Sequence, residues 1–431
     1  MVTCSCGRVF GSESALIQHQ RDKARATCQI HTAEPSPPAE HLSDRRRNGT
    51  AWLWQGVKRQ RPIRTISHAG LKASAIPVSS AQSSDVLCSY NWQTCKESAI
   101  IVPGFAAVWQ DIPLPITLPK DKGNYFIDQD AAKIPQYPFE TLFQATACMR
   151  HSFRFDDVDI VVNRNSLRKL LDFCCGRVKQ VFRLNLSLVH NTLVIERYEK
   201  SARQLIRGSR NSGWGHAFEQ AFTKFPTAIQ ESSGHHRVLC YALGDLRCAV
   251  RFEVDACYDQ MKDESADDES SSQRLVIATQ NLSLGKTNHE EEPPARAMEY
   301  RRSMPQHMAA ELKTVTRSKN INLFMPQLWF GRIPWLIMGH HQNGTFTDTK
   351  VVHVEPRFEE WEASRQTELR KLVTALHSLR TAVHKGGGRN CAAICERVQE
   401  TPVIRVYHTR VNARPLPNEL ISKFWALYSN E

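Results

Sequence analysis

Two short stretches hold the residues best suited to chemistry. "FEVDA" at 252–256 carries Glu253 and Asp255, and "ELKTV" at 311–315 carries Glu311 and Lys313. Both are β-prone, and in a strand residues i and i+2 project from the same face. If the two strands are neighbours, three acids and one amine share one surface. Carboxylate oxygens suit magnesium or manganese. Two such ions activate a water and stabilise a leaving oxygen, which is hydrolysis at phosphorus. An amine beside them holds the attacking water, and an arginine clasps a phosphate through two parallel hydrogen bonds. Taken singly, Glu-x-Lys is common and usually forms a surface pair worth little. Two same-face pairs in strand context make the signal more specific.

These residues need elements to position them. "VDIVVN", "VFRLNLSLV" and "TLVIERYE" read as strands, being β-branched and partly alternating. "SLRKLLDFCC", "GWGHAFEQAFTKF" and "TELRKLVTALHSLRTAVH" read as helices from apolar residues spaced three and four apart. Arg164 falls between the strand-like "VDIVVN" and a helix, and Glu219 falls in a helix opened by Gly213 and Gly215. Gln327 lies in "MPQLWFGRIPWLIMGHH". Strands and helices in irregular order predict an α+β domain of mixed β-sheets flanked by helices. His340 and His341 are adjacent, so on a strand they face opposite sides and are not read as a ligand pair.

The bulk numbers bound the rest. The chain has 431 residues, enough for a sizeable core and more than one unit. No window approaches the length of a membrane-spanning apolar run, and "MVTCSCGRVFG" lacks the apolar core of a signal peptide. A net charge of +12 suits a polyanionic partner without identifying one. Thirteen cysteines, an odd count without a secretory signal, read as reduced thiols of the nucleus or cytosol.

Residues 1–31 read as a small zinc-finger-like unit. Cys4 and Cys6 precede Phe10, Leu16 and His19, with Cys28 (or His31) as a fourth Zn²⁺ ligand. The pair is CxC rather than the usual wider spacing, and the last ligand lies far from His19. Residues 32–95 read as a flexible linker: proline-rich at first, then seven Lys/Arg and no acid from Arg45 to Arg64. That arm suits a nuclear address or a nucleic-acid tether. Residues 96–431 read as the catalytic domain. An acidic insertion at about 259–297, with nine acids against three bases from Asp259 to Glu292, reads as disordered.

The Glu-x-Lys strand after an earlier acidic strand resembles the PD-(D/E)xK-like nuclease core. More specifically, the ordered set resembles the eukaryotic decapping exoribonuclease family, the DXO/Rai-type enzymes of RNA 5′-end quality control. The motifs stand as "NRNSLRKLL" with Arg164, "GHAFEQ" with Glu219, "FEVDAC" with Glu253 and Asp255, "ELKT", and "QLWFGRIPWLIMGHHQNGTF" with Gln327. A long helix at about 358–385, the strand "PVIRVYH" and the terminal "LPNELISKFWAL" follow in family order. The resemblance implies a large mixed sheet with a second sheet, and Mg²⁺ or Mn²⁺. It implies removal of pyrophosphate, incomplete caps or NAD-type caps from RNA 5′ ends, in some members with 5′–3′ exoribonuclease activity. Glu219, Glu253, Asp255, Glu311 and the Leu312 carbonyl would contact metal. Lys313 and Gln327, the latter on a strand, would position the water or the scissile phosphate, and Arg164 would contact substrate.

The chain departs from the family pattern at Asn165, where the family has glycine, and in the length of the acidic insertion. Two other readings stay open: a zinc-finger-linked DNA nuclease, and a non-catalytic partner of a larger exoribonuclease. A third fails on spacing. "FDDVD" at 155–159 suggests a diphosphate-binding aspartate motif, but its aspartates fall at i, i+1 and i+3 rather than i, i+1 and i+4.

Overall fold

The computed structural model describes residues 2–3, 9–10, 49–94, 98–259, 296–299, 303–399 and 401–426. It divides into two units, Met1–Gln55 and Gly56–Glu431. In the first, Val2–Thr3 pairs antiparallel with Val9–Phe10, and Ala51–Trp54 forms a 3-10 turn. Cys4, Cys6, His19 and Cys28 lie outside the described residues, so the zinc reading has no support here.

The second unit is the predicted α+β arrangement: a mixed eleven-stranded sheet and a seven-stranded sheet, with helices packed against them. The elements that matter for the site are, in chain order, the strand β1 (Asp85–Gln93), the helix α1 (Gln129–Lys133), β2 (Ile160–Asn163), α2 (Arg164–Cys174), α3 (Gly215–Phe222), β3 (Ser232–Leu243) and β4 (Leu246–Val254). They continue with β5 (Ala309–Val315), α4 (Met325–Gly331), β6 (Trp335–Gln342), β7 (Thr345–His353) and α5 (Phe358–Lys385).

In the large sheet, β3 lies between β1 and β4, antiparallel to both, and β4 pairs in parallel with β2. The β3–β4 hairpin turns through Gly244 and Asp245, with Leu243 opposite Leu246. Gly244 has φ +65°, and a Cβ there would sit 3.1 Å from Val373 on α5. Glycine therefore serves both the turn and the close approach of the long helix. That helix places Leu369, Leu372, Val373, Leu376, Leu379 and Val383 in the core at helical spacing, with Glu359 and Glu360 in its first turn and His384 and Lys385 in its last. Among the described residues no helix is long and apolar enough to cross a membrane.

The chain changes sheets at Asp255. β4 ends at Val254 in the large sheet; Ala256–Cys257 then pairs antiparallel with Ala310 and Ala309 of β5 in the smaller one. β5 runs parallel to β6, and β6 antiparallel to β7. So "FEVDA" and "ELKTV" do converge, through a strand that leaves one sheet and enters the other.

Two sequence expectations fall differently. Residues 56–94 are not a linker: Arg64–Ser67 pairs with Thr401–His408 at the sheet's edge, and β1 is an interior strand. The sequence "DVLCSYNWQ" lacks apolar alternation because both faces of this strand are covered, and Leu87 through Trp92 are buried. The acidic insertion read at about 259–297 falls almost wholly within residues 260–295, outside the described residues, and Arg296–Glu299 beyond it pairs in parallel with Ala99–Val102. Gln327 sits on the helix α4 rather than on a strand. Pro326 suits a first helical turn, and the aromatic, seven-residue "MPQLWFG" is too short to show helical periodicity.

A buried polar knot ties β1, α1 and β4 together. Asp130, 2% exposed, accepts from Tyr90 Oη at 2.7 Å, Thr141 Oγ1 at 2.5 Å and Trp92 Nε1 at 3.3 Å. It pairs with Arg251 at 3.4 Å and lies 3.8 Å from His236. Burial pushes the Asp130 carboxyl up, but Arg251, His236 and the hydroxyl donors more than offset this and hold it below its usual value. A depressed folded-state value means that the unfolded chain binds the proton more readily. The stabilisation is therefore full above the unfolded carboxyl value and is lost as pH falls through the folded one. Asp130→Asn is expected to lose about 3 kcal/mol in urea unfolding at neutral pH, because it strands Arg251. Its stability should also fall less than the wild type's as pH is lowered below about 4.

Candidate active site

The site is built around one carboxylate. Glu311, 1% exposed on β5, accepts through Oε2 from Arg164 Nη1 at 3.2 Å. Through Oε1 it accepts from Lys313 Nζ at 2.5 Å and from Gln327 Nε2. The three donors come from three places: the start of α2, the same face of β5, and the helix α4. Arg164 heads α2 because β2 delivers the chain there, and its other amino group reaches the Glu253 carbonyl at 3.3 Å. Its guanidinium lies 5.2 Å from the Phe252 ring.

Lys313 is the second centre. Besides Glu311, its ammonium donates to the Leu312 carbonyl at 2.9 Å and lies 3.9 Å from Asp255 Oδ2. Asp255 Oδ2 in turn accepts from the Leu312 amide at 2.9 Å, so a side chain extends the ladder beyond the Ala256–Ala310 pair. Three oxygen-bearing groups, two carboxylates and a carbonyl, thus face one positive charge.

Charge coupling follows this geometry. Burial raises the Glu311 carboxyl, but Lys313 and Arg164 outweigh it and hold the group at about 2. Burial and the neighbouring Glu311 charge push Asp255 well above the usual carboxylate range. Crowding by surrounding protein atoms, with Glu219 and Glu311 adding to it, also raises Glu253, although its side chain keeps contact with solvent. Burial lowers Lys313, yet Glu311 and Asp255 win and raise it. Within this pair Glu311 is the ionised member and Asp255 the one that holds a proton more readily.

Glu219 reaches the same region from α3. The helix is fixed from below by Phe218, whose ring packs so close to Gly339 of β6 that a Cβ there would lie 2.4 Å away. Its start is held by Asp121, which accepts from the Ala217 amide at 2.9 Å. Glu219 lies 3.6 Å from His216 Nδ1, with its side chain 40% exposed, and acts on both Glu253 and Asp255 electrostatically. Glu253 is exposed.

The residues predicted for the catalytic site therefore belong to one neighbourhood. Arg164, Asp255, Glu311, Leu312, Lys313 and Gln327 form a connected network, joined by the Glu253 backbone; Glu219 and the Glu253 side chain stand beside it. Among the described residues no three His, Cys, Asp or Glu side chains converge closely enough to hold a metal ion. The fit rests instead on mixed donors. Two carboxylates and a backbone carbonyl around one cation are donors of the oxygen type that a hard divalent ion takes, about half of the roughly six it needs.

Sequence reading missed three supporting residues. Arg168, one turn beyond Arg164, donates to Gln327 Oε1 at 3.0 Å. His216 pairs with Glu219 and stacks on Tyr125 at 3.8 Å, the nearby Glu219 carboxylate raising its proton affinity. His236 stacks on Tyr90 at 5.2 Å, lies near Asp130 and favours ionisation of Glu253. Arg168 and His216 stand four and three residues from predicted site residues on the same helices, which is the spacing of a shared face.

A family model described as "Domain of unknown function (DUF8563)" matches residues 60–425. No curated protein matches the chain in sequence. Among solved structures, Rai1 of Scheffersomyces stipitis in complex with (3′-NADP)⁺ and calcium ion is similar over 84% of this chain and 99% of its own. Its TM-score is 0.53, at 12% identity. Rai1 of S. pombe in complex with 3′-FADP is similar over 80% of this chain and 99% of its own, with TM-score 0.51 and 12% identity. The chain thus has the Rai1 fold.

The network predicts a division between stability and surface chemistry. Glu311→Ala leaves Arg164 and Lys313 without their shared carboxylate and is expected to cost about 3 kcal/mol in urea unfolding. Glu219→Ala, at a half-exposed acid outside the buried pair, is expected to change stability by no more than about 0.5 kcal/mol.

Proposed function

The chain belongs to the family described as "Domain of unknown function (DUF8563)", and for this member we propose a divalent-metal-dependent hydrolase acting on the 5′ ends of RNA. The observation that carries this reading is the set of oxygens gathered on Lys313, namely Glu311, Asp255 and the Leu312 carbonyl, with Arg164 and Gln327 on the same carboxylate. A chain with the Rai1 fold presents it where the strand crosses between two sheets. The complexes of Rai1 with calcium ion, (3′-NADP)⁺ and 3′-FADP support a divalent cation and a nucleotide-type ligand. The net charge of +12 favours a polyanion.

Residue roles follow from position. Glu219, Glu253, Asp255, Glu311 and the Leu312 carbonyl would hold Mg²⁺ or Mn²⁺. Bound there, the ion would supply Lewis-acid activation of water and charge neutralisation at phosphorus. Lys313 offers a proton-bearing ammonium beside Asp255 and Glu311, suited to orienting the attacking water. Asp255, 3.9 Å from that ammonium, would hold the ion as a carboxylate, because a bound divalent cation offsets the burial and the Glu311 charge that otherwise raise its proton affinity. Arg164 anchors Glu311, and with Arg168 it brings positive charge toward a phosphate. Gln327 is held by Arg168 through its carbonyl oxygen and holds Glu311 through its amide, which fixes its orientation.

Removal of a pyrophosphate, an incomplete cap or a dinucleotide cap is the finer reading, with stepwise degradation of the exposed strand as its extension. The test is a panel of short RNAs bearing a 5′-triphosphate, 5′-monophosphate, unmethylated cap or NAD, with matching DNA, in Mg²⁺ or Mn²⁺. The expected result is metal-dependent 5′-end release from RNA, reduced about a hundredfold or more in Glu219→Ala, a variant expected to keep its stability. Cleavage of DNA alone would favour a DNA nuclease, and tight RNA binding without turnover would favour a non-catalytic partner.

A further inference from the structure

On the face of the small sheet that carries Glu311 and Lys313, the strands β5, β6 and β7 bring three residues into one row. Lys313 stands opposite Met338, and Met338 opposite Lys350. Two strand spacings separate the outer pair, about 10 Å. At the far end of that row lies a cavity of about 300 Å³. Met338 and Ile321 give it apolar wall; His340, Lys350, Lys319 and Arg357 give it charge and hydrogen-bond donors.

Three features mark this cavity as built for an anion. Lys319, Lys350 and Arg357 come from three separate segments: the loop after β5, the strand β7, and the turn before α5. No acid lines the cavity, and none of these three cations makes an ion pair among the described residues. The acid nearest by register is Asp348, opposite His340, and it is not part of the lining. Three exposed cations around one cavity, with no acid in its lining, present a positive potential that a phosphate would neutralise.

The cavity is also tied to the site. The loop that contributes Lys319 joins β5, which carries Glu311 and Lys313, to α4, which carries Gln327. An anion bound there would sit against the connection between two members of the catalytic network, about two strands from Lys313.

We propose that this cavity is a phosphate subsite for the RNA strand: it takes a backbone phosphate downstream of the 5′ end held at Glu311 and Lys313. The inference rests on the RNA-directed reading above. It adds that the protein engages several nucleotides of single strand, and that length is read electrostatically, without contact to bases.

The test compares full-length wild type with Lys350→Ala/Arg357→Ala. Both residues are exposed, so the fold should survive, and circular dichroism checks it. Fluorescence anisotropy in EDTA, which stops metal-dependent turnover, would follow binding of a 5′-phosphorylated pentauridylate. A 5′-uridine monophosphate and inorganic phosphate would serve as competitors. The double variant is expected to bind the pentanucleotide at least about tenfold more weakly, the effect of losing contacts to charged groups. Its plot of log affinity against log salt should flatten by about 0.7, as for one phosphate contact on a single strand. The mononucleotide should compete equally well against both proteins. Equal pentanucleotide affinity in the two proteins would overturn the subsite, as would an equal loss for pentanucleotide and mononucleotide. Loss of inorganic phosphate binding alone would assign the cavity to free phosphate and overturn it too. A wild type that binds no RNA would overturn both this inference and the functional reading, and the control distinguishes that case from the others.

Discussion

A carboxylate that is 1% exposed exists as an anion only if cations come to it, and Glu311 sets that demand for the whole site. Arg164 answers from the first residue of α2, Lys313 from the same strand face, and the Gln327 amide from α4. Each donor belongs to a different backbone segment. Satisfying one buried charge therefore fixes how the helix after β2, the strand β5 and the short helix α4 meet. Lys313 then turns outward to the Leu312 carbonyl and Asp255, which carries the order from the core to the solvent side.

Asp255 shows how fold and chemistry coincide. It stands at the residue where the chain leaves one sheet for the other, so its backbone has ladder partners on either side but not at itself. Its carboxylate takes the Leu312 amide instead, and it is thereby aimed at the amine two residues past Glu311. Two acids held so close cannot both ionise freely. Glu311 keeps the charge because it has the better partners, and Asp255 is the one whose proton affinity rises.

Much of this was legible in the sequence where a residue's type and its local period agree. "ELKTV" and "FEVDA" alternate, so their same-face pairs could be placed before the strands were seen to pair. The helix at 358–385 carries its apolar stripe over 28 residues, long enough for period and boundaries to be read. Legibility failed where local signal is short or where tertiary cover overrides it. Gln327 lies on a seven-residue helix made mostly of large apolar residues, which reads equally well as a strand. β1 is buried on both faces and so shows no alternation. Arg168 and His216 look like ordinary helix-surface residues; only their contacts with Gln327 and Glu219 reveal their part.

The central claim is that the oxygens around Lys313 form a divalent-cation site. Titration of the full chain with Mn²⁺, followed by electron paramagnetic resonance, tests it without reference to any substrate. Saturable Mn²⁺ binding in the wild type, weakened by about tenfold or more in Asp255→Asn, is the predicted result. Absence of saturable binding, or binding that Asp255→Asn leaves unchanged, would contradict the account.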